Sequence, residues 1–459
     1  MDYSKNTRKL YITICDIYLN RNYMNSLTNK QKVDPSVECL IKLFPEDFIR
    51  AIAFETGFIQ RQRKIDPVIF FWVIVLGFGV NFLRTIRGLK RKYENESNIE
   101  ITISSFNDRF TSRLENFLKK CVIHALEYQA QEPGFKLGNK LNNFKDILIQ
   151  DSTIIRLHES LTNIWPAARS KKITAGLKLS LVISAVADGV KTVRLFSERT
   201  AEVKTLRLGS WLKDRILLTD LGFFDYNSFN KIDKYGGFFV SRLKGNANPT
   251  IVGVNRICRG NSIDVVGKRL KYVLPLLKRH LLDVEVEVEV KMRKYNGKRT
   301  KTTRTFRLVC VFNDETEEYH AYLTNIPHDI LCGEDIADLY SARWEIELIF
   351  KELKYVYHID RIESANPNVV KCLIWVAILT LMCSRKILRL VKNVDPKKAH
   401  LYTHLRWAKV FTENADRLLK EVLESMGLKL DMLTLFDIFI GQGNDPNKNR
   451  KRLMDTWIA

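Results

Sequence analysis

The spacing of apolar positions divides the chain into regions with different repeats. Up to about residue 140, apolar residues recur at a helical period, in segments joined by short polar turns. Beyond that point the repeat shortens to that of strands. Strands are predicted at 145–153, 177–189, 191–199, 215–224 and 236–244, with short helices at 201–213 and 226–235. Three strands followed by alternating helices and strands indicate a mixed α/β sheet.

Alternating valines and glutamates in the segment 283–312 predict a β-hairpin around an Asn-Gly pair. A two-residue turn would set Glu287 opposite Phe306 and mix charge into the apolar face. A loop one residue longer sets Val286 opposite Leu308 and keeps one face apolar, so we expect this register. The hairpin tip carries the basic residues Lys291, Arg293, Lys294, Lys298, Arg299 and Lys301. This density suits a phosphate backbone, although charge also protects ordinary edge hairpins.

The region before the sheet contains a segment with two interpretations. Residues 85–122 predict a basic helix, a turn and a longer helix capped near Ser104 or Ser105. This arrangement is either a helix-turn-helix or a plain helical hairpin. Further upstream, Asp66 before Pro67 is a helix-start signal.

Two long apolar runs, at 67–83 and 369–383, approach the length of a membrane span. The first contains glycines and an asparagine, and the second contains a lysine. We therefore expect both to be buried helices of a large helical domain. Helices after the sheet are predicted at about 366–393, 402–425 and 431–440.

The segment 340–354, YSARWEIELIFKELK, has helical character with an unusual charge pattern. At about 100° per residue, a single helix would place Tyr340, Arg343, Glu347 and Lys354 on one side. Apolar arcs flank this side, with Ile346, Ile349, Phe350 and Leu353 on one flank, Trp344 and Leu348 on the other, and Glu345 and Glu352 on the solvated back. The charged side is therefore expected to face a cleft. The alternative is a pair of surface salt bridges, Arg343 with Glu347 and Glu347 with Lys351.

The composition favours an intracellular protein with a polyanionic partner. The net charge is +22 and the pI is near 9.5, which indicates nucleic acid first and an acidic membrane surface second. Eight cysteines without a C-x-x-C pair are typical of reduced structural thiols. The amino terminus lacks the pattern of a signal peptide. We therefore expect a cytoplasmic protein without a membrane partner.

Three carboxylates from separate segments indicate metal chemistry. Asp151 ends the run DILIQD and Asp220 ends RILLTD, and ligand sites of α/β folds form where strands end. Glu347 lies on the charged side of the later helix. Such oxygen ligands suit Mg²⁺, and two ions about 4 Å apart can stabilise the attacking and leaving oxygens of a phosphoryl displacement. Arg343, Tyr340 and Lys354 would hold phosphates beside them.

Either strand-end aspartate taken alone could simply cap a following turn. Asp214 and Asp225 are local alternatives to Asp220. Asp214 precedes the strand, and Asp225 is placed to cap the next helix. We therefore favour Asp220.

The spacing Tyr340-x₂-Arg343-x₃-Glu347-x₆-Lys354 matches the Tyr-Arg-Glu-Lys signature of one group of DDE insertion-sequence transposases. The string QDST, which contains Asp151, resembles the first aspartate motif of that group. The string LLTDLGFFD resembles the second. The chain resembles this family over about residues 50–440.

The resemblance implies a ribonuclease-H-like mixed-sheet catalytic core with an all-β insertion, flanked by helical regions. The expected boundaries are a helical DNA-binding region at 1–140, the first part of the core at 141–247, the β-strand insertion at 248–330, the second part of the core with the signature helix at 331–365, and a C-terminal helical region at 366–459 for dimerisation.

The resemblance also implies roles for residues. Asp151, Asp220 and Glu347 would be the catalytic carboxylates and would hold Mg²⁺, with Mn²⁺ as a substitute. Tyr340 and Arg343 would contact phosphate near the cleaved end, and Lys354 a nearby phosphate. Further DNA contacts are expected from Lys298, Arg299 and Arg242. The partners would be double-stranded DNA, comprising terminal inverted repeats and target, and a second copy of the chain.

In such enzymes an activated water cuts one strand at the element's end. The freed 3′-hydroxyl can attack the opposite strand to give a hairpin, and the final 3′-hydroxyls attack target DNA. This sequence departs from the family at Leu221, where arginine is common, and it has no tryptophan in the insertion. Some relatives stack a flipped base on a tryptophan of the insertion, so here a flipped base would need another partner, such as Tyr295, Phe306 or Tyr322. The alternatives are a non-catalytic DNA-binding repressor derived from a transposase, and a metal-dependent nuclease of the same fold.

Overall fold

The computed structural model describes residues 33–61, 64–77, 85–168, 174–256, 263–291 and 300–425. These residues form two compact units. The first unit takes the described residues up to Tyr128, those of Glu352–Ile359 and those from Asn368 onward. The second takes those of Gln129–Lys351 and Asp360–Pro367.

The α-helices of the described residues are α1 (Pro35–Leu43), α2 (Glu46–Glu55), α3 (Pro67–Gly77), α4 (Ile86–Ser97), α5 (Ile103–Asn107), α6 (Ser112–Gln131), α7 (Glu202–Thr205), α8 (Tyr226–Lys234), α9 (Leu270–Val273), α10 (Gly333–Ser341), α11 (Trp344–Lys351), α12 (Pro367–Val394) and α13 (His404–Glu424). A π-helical turn, Glu352–Val356, follows α11. The strands are β1 (Asp146–Arg156), β2 (Gly176–Ser184), β3 (Gly189–Ser197), β4 (Arg215–Thr219), β5 (Phe238–Arg242), β6 (Thr250–Val254), β7 (Leu281–Lys291), β8 (Lys301–Asn313) and β9 (Glu318–Thr324).

The first unit is helical, and α3 lies at its centre. Asp66 caps this helix as predicted, because its Oδ1 accepts hydrogen bonds from the N–H groups of Val68 and Ile69. Nearly every side chain of α3 is buried, which explains why its sequence is apolar on all sides. Aromatic rings pack around it, including Phe44, whose centroid lies 4.9 Å from that of Phe71.

The two apolar runs belong to this helical unit. α12 is the one helix of the described residues that is long and apolar enough to cross a membrane, and 83% of its most apolar window is buried within the protein. The helices predicted at 366–393 and 402–425 are confirmed by α12 and α13, and α12 confirms that the apolar run 369–383 is buried. The predicted helix at 431–440 and residues 78–84 lie outside the described residues.

The segment 85–122 differs from the prediction of one long second helix. Thr102, and neither Ser104 nor Ser105, provides the cap, since its hydroxyl accepts the N–H of Ser105. The helix that it begins, α5, ends after five residues, and α6 starts separately at Ser112. The prediction placed the cap inside the short helix because several hydroxyl residues are adjacent there.

The second unit is built on one sheet with the order β3-β2-β1-β4-β5-β9-β8-β7-β6. β1 pairs with β2 and β2 with β3 in antiparallel fashion, while β1 with β4 and β4 with β5 are parallel. Three antiparallel strands joined to two parallel ones confirm the expected ribonuclease-H-like mixed sheet. The strands of the predicted all-β insertion extend the same sheet, because β9 pairs with β5.

The hairpin of β7 and β8 has a different register from the predicted one. Val286 pairs with Phe306 and Val284 with Leu308, two residues away from the expected pairing. A shift of two residues leaves every side chain on its face, so the apolar alternation could not distinguish the two registers. Lys291 pairs with Lys301, and the tip residues 292–299 lie outside the described residues.

A buried ion pair joins this hairpin to the chain that follows it. Arg307 on β8 donates from Nε and Nη2 to the carboxylate of Asp283 on β7, at 2.9 and 2.6 Å, and both side chains are almost fully buried. Its Nη1 donates to the carbonyls of Ile326 and Leu331 at 3.0 and 2.8 Å. One guanidinium therefore fastens the segment before α10 to the sheet.

Replacing Asp283 tests this connection. Asp283→Leu leaves the Arg307 charge buried without its carboxylate, so we expect the free energy of unfolding, measured by urea denaturation, to fall by about 3–5 kcal/mol. The double variant D283L/R307M removes both charges and should recover much of the loss. A single variant as stable as the natural protein would contradict this account.

Candidate functional site

Asp151 and Asp220 lie side by side at one edge of the parallel strand pair. β1 and β4 are paired up to Gln150, which lies opposite Thr219. Asp151 and Asp220 are the residues that directly follow this last pair in the chain. Neighbouring strands are about 5 Å apart, so the two backbones are close at this point. β4 ends at Thr219, one residue before the predicted end, and Asp220 follows it directly as the N-cap of the 3-10 turn Leu221–Phe223.

The prediction that Asp151 ends its strand is wrong. β1 continues to Arg156, because its hydrogen bonds with β2 persist after the pairing with β4 has stopped. Asp151 therefore sits on a strand that is held on one side and open on the other. This position is stiffer than a strand end.

The carboxylate of Asp151 is poorly solvated. Its Oδ1 accepts the N–H of Ser152 at 2.7 Å, and its Oδ2 lies 3.7 Å from the Arg343 guanidinium. Burial raises the pKa of the Asp151 carboxyl to about 7, and the carboxylates of Asp220 and Glu202 add to the rise, while Ser152 and Arg343 oppose it. Because burial is the main cause, the charged form of Asp151 lacks solvation, and a cation placed beside it would stabilise that form.

The signature segment is not the single helix that was predicted. α10 ends at Ser341 and α11 begins at Trp344, with a tight turn between them in which the N–H of Arg343 donates to the carbonyl of Tyr340. Beyond α11 the chain enters the π-helical turn. Tyr340 and Glu347 therefore come from different helices.

Because the segment is not one helix, three of its side chains differ from the predicted burial. Trp344, expected to be buried, is 48% exposed. Glu345 and Glu352, expected on the solvated back, are buried. The prediction assumed a rotation of about 100° per residue along one continuous helix. A turn and a π-helical segment change this rotation, so residues after each break face other directions than predicted. Within the first unit, Glu352 gains the partners that burial requires, the Arg385 guanidinium and the hydroxyl of Tyr357.

The Arg343–Glu347 salt bridge is confirmed, with Nη2 lying 2.7 Å from Oε1. The same guanidinium faces Asp151 through Nη1. Arg343 therefore connects α11 to β1 and brings Glu347 to the edge that carries the aspartates.

Tyr340 contributes a hydroxyl that is buried without a hydrogen-bond partner. Its ring packs on that of Tyr322, with centroids 5.2 Å apart. Burial raises the pKa of Tyr340 to about 12; the Arg343 guanidinium opposes the rise and the Asp220 carboxylate adds to it. A buried polar group normally has a partner, so this hydroxyl is suited to a polar ligand that enters the site.

Arg242 belongs to the same neighbourhood. It is the last residue of β5 and pairs with Tyr322 on β9. Its charge lowers the pKa of His320, after burial as the main cause, and opposes the rise at Tyr340. The structure thus brings Arg242 to the signature residues, although they are about a hundred positions away in sequence.

Other predicted site residues lie elsewhere. Lys354 is in the π-helical turn and belongs to the first unit, while Lys298, Arg299 and Tyr295 are outside the described residues. Phe306 and Tyr322 are only 4% and 7% exposed, so neither presents a free ring face. Asp225 caps α8 by accepting the N–H of Ser228 at 3.0 Å, as predicted.

Glu202 was missed by the sequence interpretation. Its Oε1 accepts the hydroxyl hydrogen of Ser152 at 3.0 Å and lies 3.9 Å from Nζ of Lys178. Glu202 opens α7, a helix of four residues. So short a helix has no apolar period to mark one side as facing a site, and the sequence offered no other signal.

The donor chemistry of this edge suits a hard divalent cation. Carboxylate oxygens are the preferred ligands of Mg²⁺, and the raised pKa of Asp151 shows a site where added positive charge is favourable. Among the residues that the structure describes, no three acidic, histidine or cysteine side chains are grouped to hold a metal ion as they stand. The Arg343 guanidinium lies against both Asp151 and Glu347. A metal ion held by Asp151 and Glu347 would take the position that the Arg343 guanidinium occupies between them.

The chain is similar to several known transposases. A family model for the transposase DDE domain matches residues 142–383. The transposase for insertion sequence element IS231F of Bacillus thuringiensis subsp. israelensis is 21% identical over 93% of this chain and 95% of its own length. The transposase for element IS1151 of Clostridium perfringens is 23% identical over 79% of this chain and 83% of its length. A cryo-EM structure of a piggyBac transposase synaptic complex with hairpin DNA superposes with a TM-score of 0.45 at 9% identity, over 92% of this chain and 87% of that chain.

The raised pKa of Asp151 predicts a pH-dependent cost in stability. The carboxyl has a pKa of about 7 in the folded protein and about 3.9 when unfolded. Between these values the folded state binds more protons, so its stability falls as pH rises. In metal-free buffer at pH 8, Asp151→Asn should raise the melting temperature, with a gain on the order of 1–4 kcal/mol at about 1.4 kcal/mol per pKa unit. Near pH 4 the gain should vanish.

Asp214→Asn is the control for this measurement. The hydrogen bond from Lys145 lowers the pKa of Asp214, which lies at the far end of β4. Removing that charge should not stabilise the protein at pH 8. Equal melting temperatures for Asp151→Asn and the natural protein at pH 8 would contradict the assigned environment of Asp151.

Proposed function

Because this chain belongs to the family of transposases with a DDE domain, we propose that Asp151, Asp220 and Glu347 are the carboxylates with which it cuts and joins DNA. The protein is a DDE-type transposase of an insertion sequence. One observation carries the assignment of residues. Asp151 and Asp220 each directly follow the last paired residues of the parallel strands β1 and β4, so they are neighbours. The Arg343 guanidinium contacts both Asp151 and Glu347 and so holds Glu347 at the same edge of the sheet.

We propose that these carboxylates hold Mg²⁺, with Mn²⁺ as a substitute. When bound, such ions supply an activated water and stabilise charge on the attacking and leaving oxygens of the phosphate. The protein's own contribution is to fix the carboxylates: β1 is held by β2 beyond Asp151, and the 3-10 turn fixes the chain after Asp220. Fixed ligands avoid reorganisation during the reaction.

The phosphate of the cut strand is held by the groups around Tyr340. In this proposal the buried hydroxyl of Tyr340 donates to a phosphate oxygen and so gains the partner it lacks in the protein. Arg343 exchanges its carboxylates for phosphate, which its planar guanidinium binds with two parallel hydrogen bonds. Arg242 pairs across the strands with Tyr322, whose ring packs on that of Tyr340, and it binds the adjoining phosphate. Lys354, Lys298 and Arg299 complete the basic contacts.

We propose that one strand is cut at each end of the element, that the freed 3′-hydroxyl forms a hairpin on the opposite strand, and that the reopened 3′-ends attack target DNA. Since Phe306 and Tyr322 are buried, Tyr295 is the stacking partner left from the predicted three.

The partners and regions are proposed on the same basis. The net charge of +22 supports binding of double-stranded DNA through neutralised phosphates. We assign DNA binding to 1–140, the core to 141–247 and 331–365, the insertion to 248–330, and dimerisation to 366–459. Cutting two ends together calls for a homodimer on the DNA, and the reaction takes place on chromosomal DNA in the cytoplasm.

Single substitutions test the carboxylate assignment. Asp151→Ala, Asp220→Ala and Glu347→Ala should each reduce cleavage of a labelled element end by at least about 10³-fold, because loss of a metal ligand removes much of the charge stabilisation of the transition state. DNA affinity, measured by gel shift in the presence of Ca²⁺, should persist. Chelation by EDTA should stop cleavage by the natural protein, and Mg²⁺ or Mn²⁺ should restore it.

Asp225→Ala is the matched control, since this aspartate lies five residues from Asp220 and only caps α8. It should lose about 1 kcal/mol of stability and retain cleavage. Cleavage that survives in all three site variants would refute the assignment. Cleaved ends that never join a second DNA would indicate a nuclease, and binding without cleavage by the natural protein would indicate a repressor.

A further inference from the structure

We propose that Glu202 is a positioning residue that locks the chain segment of Asp151 to the chain segment of Asp220. This inference rests on the proposed function, because it concerns how the two aspartates are held for a metal ion. Glu202 comes from neither strand. It reaches the site from α7, which lies between β3 and β4 in sequence.

The first connection runs through Ser152. The hydroxyl of Ser152 donates to Oε1 of Glu202 at 3.0 Å, while the backbone N–H of the same residue donates to Oδ1 of Asp151 at 2.7 Å. One serine thus contacts both carboxylates. Fixing its side chain on Glu202 fixes the peptide whose N–H orients Asp151.

The second connection is steric and involves Gly222. A Cβ atom built on Gly222 would lie 1.7 Å from Oε2 of Glu202 and 2.9 Å from its Cδ. The carboxylate therefore lies directly against the backbone of the turn Leu221–Phe223. That turn begins at Asp220, whose carbonyl accepts the N–H of Phe223 at 3.0 Å. Glu202 is thus in contact with the segment that sets the direction of Asp220.

Glu202 is itself held in place. Lys178 on β2 is buried, and its Nζ donates to the carbonyl of Thr200 at 2.7 Å and lies 3.9 Å from Oε1 of Glu202. The hydroxyl of Thr205 donates to the Glu202 carbonyl at 2.7 Å. These contacts join β2, the loop before α7 and the Glu202 carboxylate in one network.

This network differs from that of an ordinary surface glutamate. The side chain of Glu202 is 30% exposed and faces two aspartate-bearing segments. Its charge also adds to the raised pKa of Asp151. Glu202 acts on Asp151 through Ser152 and on Asp220 through the turn Leu221–Phe223. The bond from Ser152 requires only an acceptor oxygen at Oε1, so this positioning role does not depend on a formal charge.

The test measures metal binding directly, as the rise in melting temperature of the full chain when Mg²⁺ or Mn²⁺ is titrated without DNA. Glu202→Ala should raise the metal concentration at half effect about 10- to 100-fold, as expected when a group supporting a ligand is lost. Glu202→Gln retains the acceptor and should stay within about 3-fold of the natural protein. Ser152→Ala, which breaks only the first connection, should weaken metal binding in the same direction but by less than Glu202→Ala.

Two double variants sharpen the result. S152A/E202A should bind metal no more weakly than E202A alone, because E202A already removes the only bond that S152A would break. Gly222→Ala should weaken metal binding in the natural background, whereas G222A/E202A should match E202A, since the added methyl group then meets no carboxylate. Ser152→Ala is small enough to keep the test informative if E202A does not fold.

Glu198→Gln is the control. Glu198 pairs with Arg156 and fills the space at Gly176, away from the turn after Asp220, so this variant should melt lower and keep the natural metal midpoint. The proposal is overturned if E202A behaves in the same way, which would make Glu202 merely structural. It is also overturned if E202Q is as impaired as E202A while S152A is normal, which would make Glu202 a direct ligand. A natural protein without any metal response would instead count against the proposed function.

Discussion

The in-register parallel pairing of β1 with β4 is the constraint on which the site depends. Residues of parallel strands that are opposite one another point to the same face and reach the edge at the same level. Gln150 opposite Thr219 therefore delivers the two following aspartates as neighbours. Parallel neighbours require a crossover, and here that crossover contains β2, β3 and α7. The pairing that places Asp151 also brings Glu202 into reach.

The site is costly to the folded protein. Asp151 is a buried carboxyl whose pKa is raised to about 7, and Tyr340 has a buried hydroxyl without a partner. Arg343 offsets part of this cost by facing both Asp151 and Glu347. Local strain and unmet polar groups of this kind collect at functional sites, where substrate and ions provide the missing partners. The large sheet behind the site supplies the stability that allows it.

Much of the second unit could be predicted from the sequence, because strand alternation and turn residues are local signals. Asp151 and Asp220 could be found since each follows an apolar run. The break at Ala342 and Arg343 could not be predicted, because the residues there are compatible with a continuous helix and only tertiary packing interrupts it. The predicted register of the hairpin was wrong by two residues. A shift of two residues keeps the same side chains on the apolar face, so the sequence pattern could not distinguish the two registers. Glu202 is far from Asp151 in sequence and reaches the site only through the tertiary fold, so no local sequence pattern could identify it.

The Arg307 side chain described above has a mechanical consequence. Its bonds to Asp283 and to the carbonyls of Ile326 and Leu331 leave no free hinge in the chain between β9 and α10. β7, β8 and the route to α10 must then move as a single body. Tension on the outer strands would be transmitted toward Tyr340 instead of being absorbed by a loose connection.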